Sequence, residues 1–404
     1  MFLRDLSLRT LDFLFSSGAV YDRIFGDGKN SVQGEIKMKN LDKFRGCLIG
    51  GAAGDALGYP VEFMDTASIF FRYEKCGITA YDHHSGVAEI SDDTQMTLFT
   101  ATGLLLGTTR GMTRGIMGNY TGYIHYSYKD WYRTQTESYP LPAGYHYSWL
   151  ANQPEMFHCR APGNTCMSAL SGSAPGSIER PINQSKGCGG VMRVAPIGLY
   201  FDTGSMPIEK IDRLGAEAAA LTHGHSLGYL PAAGFVHIVQ LLSHNDGITV
   251  AEAVEDMKHA VSGLFASDAH LGEFLELIDR AVVLSQKAGV SDLDAIRELG
   301  RGWVAEETLA ISVYCALKYS NDFDRALIAA VNHGGDSDST GAVTGNIVGA
   351  YLGLDRIPRK YTNRLELRNV ILTIADDLFH DCQITEDDIG ADPVWERKYF
   401  SNTY

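Results

Sequence analysis

Residues 333–353 read HGGDSDSTGAVTGNIVGAYLG. Gly341, Gly345, Gly349 and Gly353 recur at every fourth position, so on a helix they share one smooth face. An exposed helix loses up to ~1 kcal/mol for each glycine relative to alanine. Glycine at this spacing therefore makes sense where another backbone comes close. The stretch FRGCLIGGAAGDALG (44–58) is a second helix built of small residues. Two such helices can pack tightly and aim their terminal loops at a common point. The first of them is preceded by Asp336-Ser337-Asp338-Ser339-Thr340. A second acidic cluster, Ser91-Asp92-Asp93-Thr94, opens another helix far away in sequence.

Carboxylates and hydroxyls are hard oxygen ligands suited to Mg²⁺ or Mn²⁺. Four carboxylates brought together without a cation repel one another, and at least one then takes up a proton. Two divalent cations remove that conflict. Either cluster alone reads equally well as an ordinary helix N-cap, since Ser, Asp and Thr are common there. Together, in the glycine context, they favour a dinuclear metal site. Two metals ~3.5–4 Å apart can chelate vicinal hydroxyls or phosphate oxygens and activate a water, and Asp93 is placed to accept its proton.

Apolar periodicity predicts further helices at 94–107, 208–222, 229–243, 250–265, 270–287, 292–299, 303–318 and 322–331. Few segments alternate as strands do, so the fold class is all-α. Residues 1–40 read as an N-terminal extension, with an approximate apolar stripe from Leu3 to Phe15 followed by the turn-rich Gly26–Ser31. It is either a helix docked on the body or a partner-binding arm. The main body spans 41–404. Residues 120–185 are rich in aromatics punctuated by Pro and Gly, and read as a self-packed loop excursion or as an aromatic wall for a nucleobase or protein substrate.

The chain has 404 residues and a formal net charge of −15. That charge opposes general attraction to nucleic acid or an anionic membrane. Seven cysteines, an odd number without a CxxC pair, suit a reducing compartment and argue against zinc. The N-terminus interrupts its apolar residues with charges and so lacks a signal-peptide core, and no apolar run is expected to reach transmembrane length. A cytoplasmic location is expected.

Three smaller signals remain. Ser185-Lys186-Gly187-Cys188-Gly189-Gly190 permits close backbone approach to an anion, or is a structural turn. It matches neither a P-loop nor a dinucleotide fingerprint. In Thr222-His223-Gly224-His225 the histidines cannot share a helix face, so His223 is assigned a hydrogen-bonding role in a pocket. His333 reads as a helix C-terminal cap, and Glu62 as a metal-side carboxylate or a solvated loop residue.

Taken in order, GCLIGGAAGDALGYPVEF (46–63), SDDTQMTL (91–98), APGNTCMSAL (161–170), GCGGVMRVAPIGLY (187–200), THGHSLGYLPAAG (222–234), GWVAEETLAISVYCAL (302–317) and residues 333–353 resemble the ADP-ribosylglycohydrolase family across most of 44–355. The resemblance implies a compact orthogonal multi-helix fold and a catalytic domain over 41–404. It also implies two Mg²⁺ (or Mn²⁺) held by Ser91, Asp92, Asp93, Asp336, Asp338 and Ser339. Glu62, Ser185, Lys186, Gly187, Cys188, Gly189 and His223 would contact substrate, although Cys188 departs from the polar residue of some relatives. Asp93 would be the catalytic residue, steering a metal-activated water. The implied reaction removes ADP-ribose from a modified protein side chain, with arginine favoured by the form of the acidic motifs. The family also contains immunity proteins, so the competing expectation is an N-terminal arm that blocks an ADP-ribosyltransferase toxin.

Overall fold

The computed structural model describes residues 40–83, 86–115, 118–142, 146–384, 390 and 392–400. The proposed N-terminal arm lies outside them. Among the described residues the chain is all-α, with seventeen helices and no strand. They are α1 (Leu41–Gly58), α2 (Thr66–Arg72), α3 (Asp92–Arg114), α4 (Tyr120–Thr136), α5 (Asn164–Ser171), α6 (Ala195–Tyr200), α7 (Ile208–Ala220), α8 (Ser226–His244) and α9 (Val250–Leu264). The remainder are α10 (Leu271–Gln286), α11 (Asp292–Leu299), α12 (Ala305–Lys318), α13 (Phe323–Val331), α14 (Ser337–Leu352), α15 (Arg359–Thr362), α16 (Arg368–His380) and α17 (Pro393–Tyr399). The periodic segments expected from sequence all form helices, with ends displaced by a few residues.

The two small-residue helices, α1 and α14, run antiparallel at the centre. Their glycines meet in pairs: a Cβ on Gly50 would lie 2.3 Å from the Gly345 carbonyl oxygen, and one on Gly345 would lie 2.0 Å from that of Gly50. Gly46 with Gly349, and Gly54 with Gly341, repeat the contact. At the end of the seam Gly58 abuts the backbone of Ser337, the first residue of α14. Asn346 closes the seam laterally by donating its side-chain amide to the Cys47 carbonyl at 2.8 Å. The other helices pack around this pair, α16 on α1, and α8, α12 and α13 on α14. The register of the seam leaves the C-terminal end of α1 beside the N-terminal end of α14.

The apolar helix α8 is long and hydrophobic enough to cross a membrane, but 89% of that stretch is buried inside the fold. It is a core helix, and its length corrects the expectation that no run would reach that measure. All seven cysteines are free.

The aromatic region departs from expectation. Its first part is the helix α4, not a loop. Ile124, Tyr128, Trp131 and Thr134 fall at helical spacing and are buried. Trp131 donates its indole N–H to Gln95 of α3 at 3.0 Å, and the Tyr128 ring packs 4.4 Å from the buried Arg193 guanidinium. These rings are core.

We expect Gly345→Ala to lower unfolding stability by about 3 kcal/mol or more, the upper range of overpacking costs. Gly263→Ala in α9, whose Cβ would meet nothing within 4 Å, should instead stabilise by about 0.4–1 kcal/mol. Urea denaturation of the two variants checks the contrast.

Candidate functional site

Where α1 ends and α3 and α14 begin, the structure forms a cleft of about 400 Å³. Ser91 is the N-cap of α3, accepting the Asp93 N–H, and this places Asp92 and Asp93 in the first turn. Asp336 occupies the N-cap position of α14, with Asp338 in its first turn. Glu62 follows the short helical turn Tyr59–Val61 that terminates α1. The positive ends of two helix dipoles therefore face one carboxylate group.

Five carboxylates, those of Glu62, Asp92, Asp93, Asp336 and Asp338, line this cleft, and among the described residues no Lys or Arg side chain does. Oxygens of Glu62, Asp336 and Asp338 lie within 4.8 Å of one another. Burial, then repulsion from Asp338, pushes the carboxyl groups of Asp92, Asp93 and Glu62 far up from their ordinary values. Asp336 is raised by the same two causes. Asp338 is also raised, by burial. Glu62 Oε2 and Asp93 Oδ2 are buried with no hydrogen-bond partner. Orphaned carboxylate oxygens without a balancing cation are costly. An all-oxygen donor set with this deficit of positive charge fits hard divalent cations.

Asp55 was not anticipated. It is fully buried on α1 and its two oxygens accept the Ser91 N–H at 3.0 and 3.1 Å. It also accepts the Thr94 N–H at 3.0 Å and the Thr94 hydroxyl. One carboxylate thus pins the start of α3 to the end of α1. Its position inside the small-residue stretch hid it, because a lone Asp among glycines carries no pattern of its own. A second brace joins Arg160 to Glu366 in a buried ion pair, with Glu366 also accepting the Ile90 N–H at 3.1 Å. The Arg160 carbonyl in turn accepts the Asp92 N–H.

The walls come from two loops. Residues 161–166 form one, and the Gly163 N–H donates to Asp92 at 3.2 Å. Gly187, Cys188 and Gly189 form the other with His223 behind them. A Cβ at Gly189 would lie 3.0 Å from the His223 ring, so only a bare backbone fits there. His223 is buried, and its Nδ1 shares a 2.8 Å hydrogen bond with the Thr222 hydroxyl. Burial depresses its pKa to about 3, so it stays neutral. Cys188 adjoins Asp336 and Ser339, and burial and the Asp336 charge raise its thiol.

Of the sequence-derived site residues, Glu62, Asp92, Asp93, Gly187, Cys188, Gly189, His223, Asp336, Asp338 and Ser339 line the cleft. Ser91 lies beneath it as a cap. Ser185 and Lys186 do not line it: the Ser185 hydroxyl bonds Thr165 at 3.0 Å, and the Lys186 ammonium pairs with Glu306. His333 lies just past α13, where it is buried, bonds Thr340 at 3.0 Å and interacts with the Ala330 backbone in the helix's last turn; burial lowers its pKa to about 4, so it is neutral. None of the described aromatic residues of 120–149 lines this cleft; Phe63 and Trp303 do. A larger cleft of about 530 Å³, lined by Arg110, Tyr126, Tyr147 and Phe400 among others, lies at the far end of α3 and carries no carboxylate among its lining residues.

The ADP-ribosylglycohydrolase family model matches residues 37–388. The chain is 26% identical to "ADP-ribosylhydrolase ARH3" of Mus musculus, covering 81% of this chain and 88% of the relative. It is 22% identical to "ADP-ribosylarginine hydrolase Tri1" of Serratia proteamaculans, covering 85% and 81%. It is 24% identical to the "ADP-ribosyl-[dinitrogen reductase] glycohydrolase" of Rhodospirillum rubrum, covering 81% and 91%. A solved chain titled "ADP-ribosylglycohydrolase-related protein complex" shares the fold with a TM-score of 0.56 at 23% identity, over 84% of this chain and 98% of that one.

The carboxylates set a pH test of the metal-free protein. Burial raises Asp55 from 3.8 to about 7. A carboxyl group raised in the folded state holds its proton there longer than when unfolded, so its ionisation opposes folding. The metal-free protein should lose stability as pH rises from about 4 towards 7. Added Mg²⁺ should restore it, by about 2.7 kcal/mol at a hundredfold excess over Kd, and more at pH 7.5 than at pH 5. Thermal melts with Mg²⁺ and with chelator at both pH values check this.

Proposed function

The chain belongs to the ADP-ribosylglycohydrolase family, and on that premise we propose that it hydrolyses the glycosidic bond between ADP-ribose and an arginine side chain of a modified protein. The observation that carries the reading is the ring of buried carboxylates at the floor of an open cleft, with one Asp93 oxygen left unpartnered.

In this reading Ser91, Asp92, Asp93, Asp336, Asp338 and Ser339 hold two divalent cations, Mg²⁺ or Mn²⁺, and Glu62 stands beside them. Such cations supply charge neutralisation and a template for a sugar diol. The protein's own groups do the rest. Asp92, fixed by the Gly163 N–H and the Arg160 carbonyl, keeps the floor rigid. The bare backbone at Gly187 and Gly189 admits the diphosphate close to neutral His223. Asp93 Oδ2 takes a proton from the attacking water as the new C–O bond forms. Breaking the C–N bond sends its electron pair to the guanidine nitrogen, which takes up the proton that Asp93 gained. The sugar passes through oxocarbenium character, favoured by the surrounding negative charge.

Two features support arginine. The leaving group is a planar guanidine that departs as a cation, and the cleft offers it carboxylates with aromatic rings at their edge. The serratial relative also bears arginine in its name.

Asp93→Ala should keep its helix content by circular dichroism and lose at least ~100-fold in kcat, the usual scale for removing a general base. Near-normal turnover at saturating Mg²⁺ would remove Asp93 from this role. Peptides carrying ADP-ribose on arginine or on serine test the linkage. Release from serine alone would reassign it.

A further inference from the structure

We propose that the rim of the acidic cleft, Phe63 with Trp303, continues into a groove along α2 ending at Phe71, and that this surface grips the polypeptide flanking the modified side chain. The inference rests on the hydrolase reading above.

Single exposed apolar residues are normal on a protein surface, but a group of aromatic rings around a cleft is not. Phe71 is 91% exposed, Phe63 75% and Trp303 40%. The Phe63 and Trp303 rings stack with centroids 5.9 Å apart and planes inclined by 23°. Both rings line the acidic cleft while facing solvent.

Their backbone is braced. The Trp303 carbonyl accepts the Cys188 N–H at 3.3 Å, the Lys186 carbonyl accepts the Ala305 N–H at 2.8 Å, and the Arg301 carbonyl accepts the Asp336 N–H at 2.8 Å. The indole is therefore held in water by a rigid loop that is stitched to the site's own walls. On the other side, Met64 donates its N–H to the Val61 carbonyl at 2.9 Å. Asp65 then caps α2 by accepting the Ser68 N–H at 2.7 Å. Gly334, two residues before Asp336, packs on Asp65 and Thr66. The groove-bearing helix is seated on the loop that delivers the acidic floor.

Met64, Ala67, Ser68 and Phe71 line an open groove of about 630 Å³, together with Asp65 and Arg72. Its charged residues are engaged within the fold: Arg72 pairs with Asp82 at 2.7 Å, and Asp65 holds its own helix. What remains to meet a partner is Met64, Ala67 and Phe71, with the Ser68 hydroxyl among them. Residues 63 and 64 are consecutive, so cleft and groove are continuous along the chain. A sugar seated on the carboxylate floor must direct its leaving side chain out past Phe63 and Trp303. The main chain bearing that side chain then has the α2 groove before it. Aromatic residues are the usual anchors of such contacts.

The test compares full-length wild type, Phe71→Ala and Trp303→Ala on two substrates. One is an arginine-ADP-ribosylated peptide and the other a small ADP-ribosylated guanidine with no polypeptide. Phe71→Ala should raise KM for the peptide about tenfold, as loss of a hot-spot ring does, with kcat unchanged and the small substrate unaffected. Trp303→Ala should raise KM for both. Unchanged peptide KM in Phe71→Ala, with wild type active on the small substrate, overturns this inference alone. If that variant also lowers the sedimenting mass, the face belongs to a second copy of the chain, which overturns it too. Wild type inactive on both substrates with Mg²⁺ or Mn²⁺ overturns the hydrolase reading and this one with it.

Discussion

The backbone contact between α1 and α14 is the constraint on which the site depends. Gly46, Gly50 and Gly54 meet Gly349, Gly345 and Gly341 so closely that no side chain fits at any of the six positions. Glycine in a helix forfeits roughly 1 kcal/mol against alanine, and here that loss is incurred repeatedly. The return is dispersion contact between two bare backbones and a fixed register. That register puts Gly58 on Ser337, and so sets Asp55 and Glu62 beside Asp336 and Asp338. A slip of one turn would carry the two groups apart by ~5.4 Å, more than the spread of the carboxylate cluster.

Gathering so many carboxylates opposes folding. Two devices hold them without a cation nearby among the side chains lining the cleft. The first is helix position: Asp92, Asp93, Asp336 and Asp338 all lie at N-termini, where partial positive charge and free N–H groups favour anions. The second is a shell of hydrogen bonds. Asp55 gathers the Ser91 and Thr94 amides, while the Arg160–Glu366 pair ties down the approach to α3. Neither device neutralises Glu62 Oε2 or Asp93 Oδ2. This lack of compensation is what fits the carboxylate group to hard divalent cations.

How much of this could be read in the sequence follows from whether a residue's task is local or distant. Glycines at every fourth position and acids before a helix are local patterns, so the central seam and Asp92, Asp93, Asp336, Asp338 and Ser339 were legible, whereas Glu62 and the 187–189 loop were assigned to the site through the family resemblance. Asp55 acts through the backbone of residues far along the chain, and Arg160 through Glu366, 206 residues away; neither leaves a local trace. Lys186 was expected to contact substrate from the resemblance alone, but Glu306 captures its ammonium. The aromatic region misled for a different reason. Tyr and Trp suit walls and cores equally, and the period of Ile124, Tyr128 and Trp131 that marks a core helix was masked by the Pro and Gly that follow it.

Floor and rim are built on opposite principles, and this bears on where substrate choice resides. The four floor aspartates sit at the N-termini of α3 and α14, with α14 held to α1 by the glycine seam and α3 held to α1 by Asp55. The floor is suited to the ribose, which is common to every ADP-ribosylated side chain. In the proposed reading the leaving group passes Phe63 and Trp303, which stack on each other and are 75% and 40% exposed. Neither ring is held in place as the buried aspartates are. On the proposed hydrolase reading, the acidic motifs serve the sugar chemistry, and choice of the modified protein falls to the aromatic edge and to the surface that continues from it along α2.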